Sequence, residues 1–104
     1  MKKTIIILAS ILITSLTNPI LAAGDAEAGQ AKSATCMGCH GENGRSKDES
    51  IPSLAGKDVD WIVQQLEYFQ SGERQNAYMN AMAPMAEGFE QSIAEYLAIQ
   101  DPQK

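Results

Sequence analysis

Two cysteines and the only histidine of the chain lie within five consecutive residues, Cys36-Met37-Gly38-Cys39-His40. This C-x-x-C-H arrangement is typical of the attachment motif for a c-type haem. Two thiols can add across the two vinyl groups of the porphyrin, because the two-residue gap lets both reach one edge of the macrocycle. The imidazole of His40 then lies under the iron as its proximal ligand. The motif therefore predicts one haem c bound covalently through two thioethers.

The C-x-x-C spacing also occurs in zinc sites and in thiol redox centres, which leaves two alternatives. A closed zinc site would need an oxygen donor as its fourth ligand, since the chain has two cysteines and one histidine. A thioredoxin-like centre would be expected beside a βαβ unit, and no strand pattern stands out in the sequence. Haem attachment is the preferred interpretation, with zinc binding and thiol redox chemistry as alternatives.

A haem iron held by one histidine needs a sixth ligand to become a low-spin electron carrier. The single histidine excludes ligation by two histidines of one chain. A methionine thioether is the natural candidate, because it is soft, favours ferrous iron and raises the reduction potential. Met79, Met82 and Met85 are available, and ordinary core filling is the alternative role of each. An iron with all positions filled favours electron transfer over catalysis.

The amino-terminal segment is typical of an export signal, and the helices that must position the cysteines, His40 and the methionines come after it. Lys2 and Lys3 precede an uncharged apolar run, and a small-residue stretch ends at Ala23. We predict a signal peptide over residues 1–23, one domain over residues 24–104 and a periplasmic protein with no stable membrane span after cleavage. A retained membrane anchor is the alternative, because the apolar segment is just long enough to cross a bilayer.

The formal net charge of the full chain is −5 at pH 7. Removal of Lys2 and Lys3 with the signal makes the mature chain more acidic. Nucleic acid is therefore disfavoured as a partner, because an acidic surface repels phosphate groups. Such a surface would instead steer the protein towards basic patches on redox protein partners. A chain this short can form only a small core, which a haem would enlarge as an apolar plate.

Three helical patterns separated by two irregular segments follow the signal. The helices are predicted over residues 25–35, 58–71 and 90–100, and the irregular segments over residues 40–57 and 72–88. Asp25 is expected to cap the first helix, which is rich in alanine, and Gly72 to end the second. The second helix has the clearest apolar periodicity. An all-α domain follows, with about three main helices and loops wrapped around one covalently attached haem.

Several short segments, spread over nearly the whole mature chain, match one family when taken together. Besides the attachment motif they are Gly24-Asp25-Ala26-Glu27-Ala28-Gly29, Ile51-Pro52-Ser53-Leu54-Ala55-Gly56, Gln65-Leu66 with Phe69, and Ser71-Gly72-Glu73-Arg74 with Asn76. With these segments the chain resembles the class I cytochromes c, and more narrowly the small haem subunit of flavocytochrome c sulfide dehydrogenase and its soluble relatives. The resemblance implies a small cytochrome c fold and a monohaem electron carrier with no enzymatic activity of its own.

The resemblance also implies which residues complete the site. In this family the methionine ligand precedes, by a few residues, an aromatic residue or leucine that opens the final helix, as Met82 precedes Phe89 here. His40 and Met82 are therefore the implied axial ligands, and Met79 is the alternative if the register slips. The resemblance further implies that the carbonyl of Pro52 accepts a hydrogen bond from the far nitrogen of His40, which fixes the ring orientation.

Three functional hypotheses follow. The first is a carrier with His/Met ligation that shuttles single electrons between periplasmic redox partners. The second is the haem subunit of a complex like flavocytochrome c sulfide dehydrogenase, in which a flavoprotein is the partner. The third is a five-coordinate haem protein that binds a gas or reduces a peroxide, against which the methionine-rich segment argues.

Overall fold

The structure is a computed structural model that describes residues 25–103, and every regular element in this range is a helix. Four α-helices span Ala26–His40 (α1), Val59–Ser71 (α2), Ala77–Met82 (α3) and Glu90–Ala98 (α4), and short 3-10 turns span Glu42–Gly44 and Ala83–Ala86. The predicted all-α class is confirmed. The predicted signal peptide lies outside the described residues. Within the described range no helix is long and apolar enough to cross a membrane.

Helix α2 follows its sequence pattern closely. Asp58 caps the amino end by accepting hydrogen bonds from two backbone N–H groups of the first turn. Ile62, Leu66 and Phe69 share one face of the helix and are buried. Gly72 ends the helix at a φ of +85°, a left-handed conformation that glycine adopts without steric cost. The second predicted helix is thus confirmed.

Helix α1 buries small side chains instead of an apolar stripe, together with one imidazole. Its buried residues are Gly29, Ser33 and His40. The helix continues past its predicted end at residue 35, because Gly38 keeps a helical conformation and the first glycine with a positive φ is Gly41. That glycine has a φ of +86°, and a Cβ atom there would lie 1.8 Å from the backbone oxygen of Arg45. The whole C-x-x-C-H motif is therefore helical, and the chain turns sharply directly after it.

The core lies where α2 and α4 meet the second 3-10 turn. Its buried side chains are Ile62, Leu66, Phe69, Ala83, Ala86, Ile93, Ala94, Tyr96 and Leu97. Full burial of a large aliphatic or aromatic side chain stabilises a fold by about 1.5–3 kcal/mol. The few large members of this cluster therefore provide most of its hydrophobic stabilisation, as expected for so short a chain.

The amino end of α1 lies directly against α4. A Cβ atom on Gly29 would be 1.8 Å from the backbone oxygen of Ser92 and 3.0 Å from the backbone nitrogen of Ile93. Only glycine permits this approach, because any other side chain would overlap the backbone of α4. The backbone N–H of Asp25 also donates a hydrogen bond of 3.1 Å to the hydroxyl oxygen of Ser92. The first and last helices thus meet backbone to backbone.

The segment 72–88, predicted to be irregular, contains a helix. Asn76 begins α3 by accepting hydrogen bonds of 3.0 Å from two backbone N–H groups of its first turn. Pro84 does not interrupt the chain, because it stands at the start of the following 3-10 turn, where a missing N–H costs nothing. The prediction of irregular structure is therefore wrong for Ala77–Met82.

We expect Gly29→Ala to destabilise the protein, although alanine is the better helix former by about 1 kcal/mol. The added methyl group must push α1 away from α4, and overpacking of this kind costs about 1–3 kcal/mol. Unfolding by denaturant measures the difference. Gln30→Ala, one residue along on the exposed side of α1, is the matched control and should change stability by less than about 0.5 kcal/mol. Equal effects of the two substitutions would contradict the close contact.

Candidate haem-binding site

The two cysteines of the motif lie in the last turns of α1. Cys36 is half-buried, Cys39 is exposed, and both are free thiols. Residues three apart in an α-helix are neighbours on one face, so the two sulfur atoms are presented on the same side of α1. This arrangement suits attachment of both thiols to one edge of a single flat group.

The protonation of Cys36 bears on the thiol redox alternative. Burial raises the pKa of the Cys36 thiol, a hydrogen bond with Thr35 opposes the rise, and repulsion from Cys39 adds to it. Redox-active cysteines in C-x-x-C motifs instead have lowered pKa values, which supply the reactive thiolate. The environment of Cys36 therefore disfavours a thioredoxin-like centre, as does the lack of strands among residues 25–103.

The zinc alternative requires four donors around one point. Among residues 25–103, no group of three or more histidine, cysteine, aspartate or glutamate side chains is placed to hold a metal ion. A closed structural zinc site needs four such ligands. The described part of the chain therefore does not fit zinc.

The imidazole of His40 is buried at the carboxyl end of α1. Its Nδ1 atom lies 2.7 Å from the backbone oxygen of Pro52. A carbonyl oxygen only accepts hydrogen bonds, so Nδ1 carries the hydrogen, and in the neutral ring Nε2 has a free lone pair. Metal-binding histidines commonly have their second nitrogen held in this way. The structure thus brings His40 and Pro52 together and leaves Nε2 able to bind a metal ion.

The loop that carries Pro52 folds back onto the first 3-10 turn. The backbone oxygen of Gly44 accepts hydrogen bonds from the N–H groups of Leu54, at 2.7 Å, and Ala55, at 3.1 Å. The backbone N–H of Ser46 donates to the hydroxyl oxygen of Ser53 over 3.0 Å. These contacts, made by the three residues that directly follow Pro52, fix the carbonyl that meets the imidazole.

Helix α4 holds this loop from the other side. The backbone N–H of Gly56 donates to the oxygen of Leu97 over 2.9 Å. The hydroxyl group of Tyr96, which is buried, donates to the side-chain oxygen of Asn43. Asn43 has a φ of +56°, and asparagine is one of the few residues other than glycine that tolerates this region. The position of the loop therefore depends on α4, far along the chain.

The three candidate methionines have different environments. Met79 is half-buried and packs against the core cluster, and Met85 is 60% exposed. Met82 is half-buried at the last residue of α3 and is not among the side chains of residues 25–103 that pack on the core. Core contact already accounts for Met79, whereas Met82 is half-buried without such a role.

These residues together form a donor set that fits a haem. Two thiols on one helix face can form thioethers, a fixed imidazole offers Nε2, and a soft thioether sulfur is available on a separate segment. Large apolar side chains that are only partly buried surround the core, among them Leu54, Val59 and Val63. A large apolar ligand could bury them further.

The family model for cytochrome c matches residues 26–98. This match includes α1 with its motif, the loop of Pro52 and α4. It also includes residues 77–86, which contain Met79, Met82 and Met85 and which we call the methionine segment.

The chain belongs to the cytochrome c family.

Named relatives agree with this assignment. Cytochrome c-554(548) of Halomonas halodenitrificans is 32% identical over 83 residues, which are 79% of this chain and 100% of that protein. Cytochrome c4 of Stutzerimonas stutzeri is 36% identical over 97 residues, 92% of this chain and 42% of that protein. A thiosulfate dehydrogenase electron acceptor of Thiomonas intermedia is 36% identical over 67 residues, 62% of this chain and 31% of that protein. This cytochrome thus spans less than half the length of the last two.

Solved structures show the same fold. Reduced recombinant cytochrome c4 from Pseudomonas stutzeri superposes with a TM-score of 0.69 at 35% identity, over 76% of this chain and 47% of that one. The thiosulfate dehydrogenase TsdBA from Marichromatium purpuratum gives a TM-score of 0.68 at 28% identity, over 76% of this chain and 20% of that one. The predicted class I cytochrome c is confirmed, and with it haem binding and electron transfer as the properties of the family.

Sequence reasoning missed two side chains that hold the methionine segment of this cytochrome. Gln70 on α2 and Asn80 on α3 donate hydrogen bonds to backbone oxygens of neighbouring elements. Neither residue belongs to a motif or to an apolar pattern. The one sequence signal nearby was Asn76, a residue type that favours helix starts and that could have indicated α3.

Tyr96→Phe is expected to lower the free energy of unfolding by about 1 kcal/mol, because it removes a half-buried hydrogen bond and leaves the oxygen of Asn43 unpaired. Chemical denaturation of the purified cytochrome measures the change. Tyr78→Phe deletes the same hydroxyl group at a residue that is 81% exposed and should have almost no effect. If both variants unfold like the parent, the hydroxyl of Tyr96 does not fasten the first 3-10 turn to α4.

Proposed function

We propose that this cytochrome carries one haem c on Cys36 and Cys39, with His40 and Met82 as axial ligands, and shuttles single electrons between protein partners. The observation that carries the proposal is the contact between His40 Nδ1 and the oxygen of Pro52, at 2.7 Å, directly after the two cysteines on one helix. It gives the imidazole the tautomer and the orientation that iron ligation at Nε2 requires.

Bound haem supplies a one-electron change between ferrous and ferric iron. The residues of this chain would hold the haem and adjust its reduction potential. Cys36 and Cys39 fix one edge of the group to α1, so that the cofactor cannot dissociate between partners. Pro52 keeps the His40 ring from rotating and increases its basicity as a ligand. The thioether of Met82 would complete the coordination and leave no free position for substrate.

Met82 is the proposed sixth ligand on two grounds. The family resemblance matches its spacing to Phe89, and the environment of Met79 is already explained by contact with the core. A Met/His pair raises the reduction potential relative to stronger donors such as a second histidine. The third hypothesis, a five-coordinate haem that binds gas or peroxide, would require this position to be open.

The site of action is proposed to be the periplasm, after removal of residues 1–23. The basic and apolar pattern of that segment supports export, and oxidising conditions there are compatible with a chain whose two cysteines are both assigned to the haem. The acidic composition supports association with partners that present basic patches.

A thiosulfate-oxidising enzyme is a candidate electron donor. The relative from Thiomonas intermedia is named as an electron acceptor of thiosulfate dehydrogenase, and the fold recurs in the thiosulfate dehydrogenase TsdBA. Stopped-flow reduction by such an enzyme and by a flavoprotein sulfide dehydrogenase would separate this candidate from the sulfide-dehydrogenase subunit that the sequence resemblance suggests. The faster donor identifies the pathway.

Haem should remain on the polypeptide after extraction with acidified organic solvent, because two thioether bonds resist this treatment. The absorption spectrum of the extracted protein, oxidised and reduced, measures retention. In the variant with Cys36→Ser and Cys39→Ser, any haem should be lost to the solvent phase. Haem-free protein from a host that matures other c-type cytochromes would contradict the covalent attachment.

Met82→Ala should convert the iron to a high-spin form that binds carbon monoxide when reduced, and should remove the weak absorption band of the methionine-to-iron bond. The reduction potential is expected to fall, because the thioether that favours ferrous iron is gone. Met79→Ala is the matched control and should keep the band while losing some stability. The opposite result, in which only Met79→Ala loses the band, would transfer the ligand role to Met79.

A further inference from the structure

We propose that two side-chain amides, those of Gln70 and Asn80, act as positioning residues for the sixth iron ligand. This inference rests on the proposed function, because it takes Met82 to be that ligand. We call the pair the amide clamp. It joins the methionine segment to α2 and α4, and we infer that it sets how readily the thioether leaves the iron.

The methionine segment needs such a clamp because burial holds it only weakly. No residue of α3 is buried. Ala83 and Ala86 in the following turn are 1% and 6% exposed, but alanine provides little apolar area. Segments with few buried contacts open locally at a small cost in free energy. Apart from the partial contact of Met79 with the core, the position of Met82 therefore depends on polar contacts.

Gln70 supplies the first of these contacts. Its Nε2 atom donates to the backbone oxygen of Ala83 over 2.9 Å and to Oε1 of Glu90 over 3.0 Å. Both partners accept hydrogen bonds, so the amide must present its nitrogen to them, and both of its hydrogens are used. Ala83 directly follows Met82. One half-buried side chain of α2 thus fixes the carbonyl of the residue after the ligand and ties it to the start of α4.

Asn80 supplies the second set of contacts, two residues before Met82. Its Nδ2 atom donates to the backbone oxygens of Phe69, at 2.9 Å, and Arg74, at 3.0 Å. Its Oδ1 atom accepts from the backbone N–H of Asn76 over 2.8 Å. These contacts fasten α3 to the carboxyl end of α2. The ligand is therefore bracketed by one amide on each side.

The clamp has a consequence that can be measured at the iron. A thioether is a neutral, weak ligand, so an external ligand such as imidazole can replace it when the segment swings away. The apparent affinity for imidazole then reports the free energy of opening, since opening must precede binding. Loss of clamp contacts should favour the open state and raise that affinity.

The test is titration of the ferric protein with imidazole, followed by the methionine-to-iron absorption band. Gln70→Leu removes both donated hydrogen bonds at similar side-chain size, and we expect the dissociation constant for imidazole to fall about tenfold. Asn80→Asp keeps the acceptor for Asn76 but cannot donate to the two backbone oxygens. It should shift the constant in the same direction and provides a second route if Gln70→Leu does not accumulate with haem.

Gln100→Leu is the matched control. The amide of Gln100 is also half-buried and donates a hydrogen bond of 2.9 Å to a backbone oxygen, that of Tyr96, but at the other end of α4. We expect the control to change stability to unfolding without moving the imidazole constant by more than about twofold. If the two amides only stabilised the fold, all three variants would show the same change in the imidazole dissociation constant.

The outcomes separate the clamp from the ligand assignment. An increase in imidazole affinity for Gln70→Leu or Asn80→Asp, with Gln100→Leu unchanged, supports the clamp. Unchanged affinity in both clamp variants, or equal increases in all three, overturns it. If Met82→Ala retains the methionine-to-iron band, the proposed ligand fails independently of the clamp, because that result does not depend on the two amides.

Discussion

The hydrogen bond between the His40 ring and the oxygen of Pro52 is the contact on which the site depends. It joins the end of one helix to the middle of an irregular loop, and neither partner could be placed without the rest of the fold. The loop owes its position to backbone contacts with the first 3-10 turn and to α4. One imidazole orientation is thus the result of contacts along most of the chain.

The helices hold the loop and the imidazole in place with very few large side chains. Because α1 has no apolar stripe, its contact with α4 relies on backbone proximity at Gly29 and on small buried residues such as Ser33. Close contact of small residues gains dispersion energy over many atom pairs, although each pair contributes little. The larger side chains of α2 and α4 form the core beside it. At the carboxyl end of α1, Met37 packs against this core, while Cys36 is half-buried and Cys39 is exposed.

Much of this arrangement could be predicted from the sequence, because local signals agreed with the final structure. The cap at Asp58, the apolar face of α2 and the stop at Gly72 determine one helix almost completely. The C-x-x-C-H motif predicted a c-type cytochrome, and the cytochrome c family model matches the residues that contain it. Helix α3 was missed because its residues lack a buried face, so no periodicity marks it. The contacts of Gln70 and Tyr96 could not be predicted, since a polar side chain gives no sign of a partner that lies far along the chain.

The meeting of the first and last helices has a consequence for the order of events during synthesis. The hydrogen bond from Asp25 to Ser92 spans 67 residues, so the contact at Gly29 can form only after Ser92 has left the ribosome. Contacts of such long range form late and slow the closure of a fold. The motif, by contrast, emerges early. The proposed attachment chemistry at its two thiols therefore has an interval in which to act on an open chain, before α4 arrives to complete the domain.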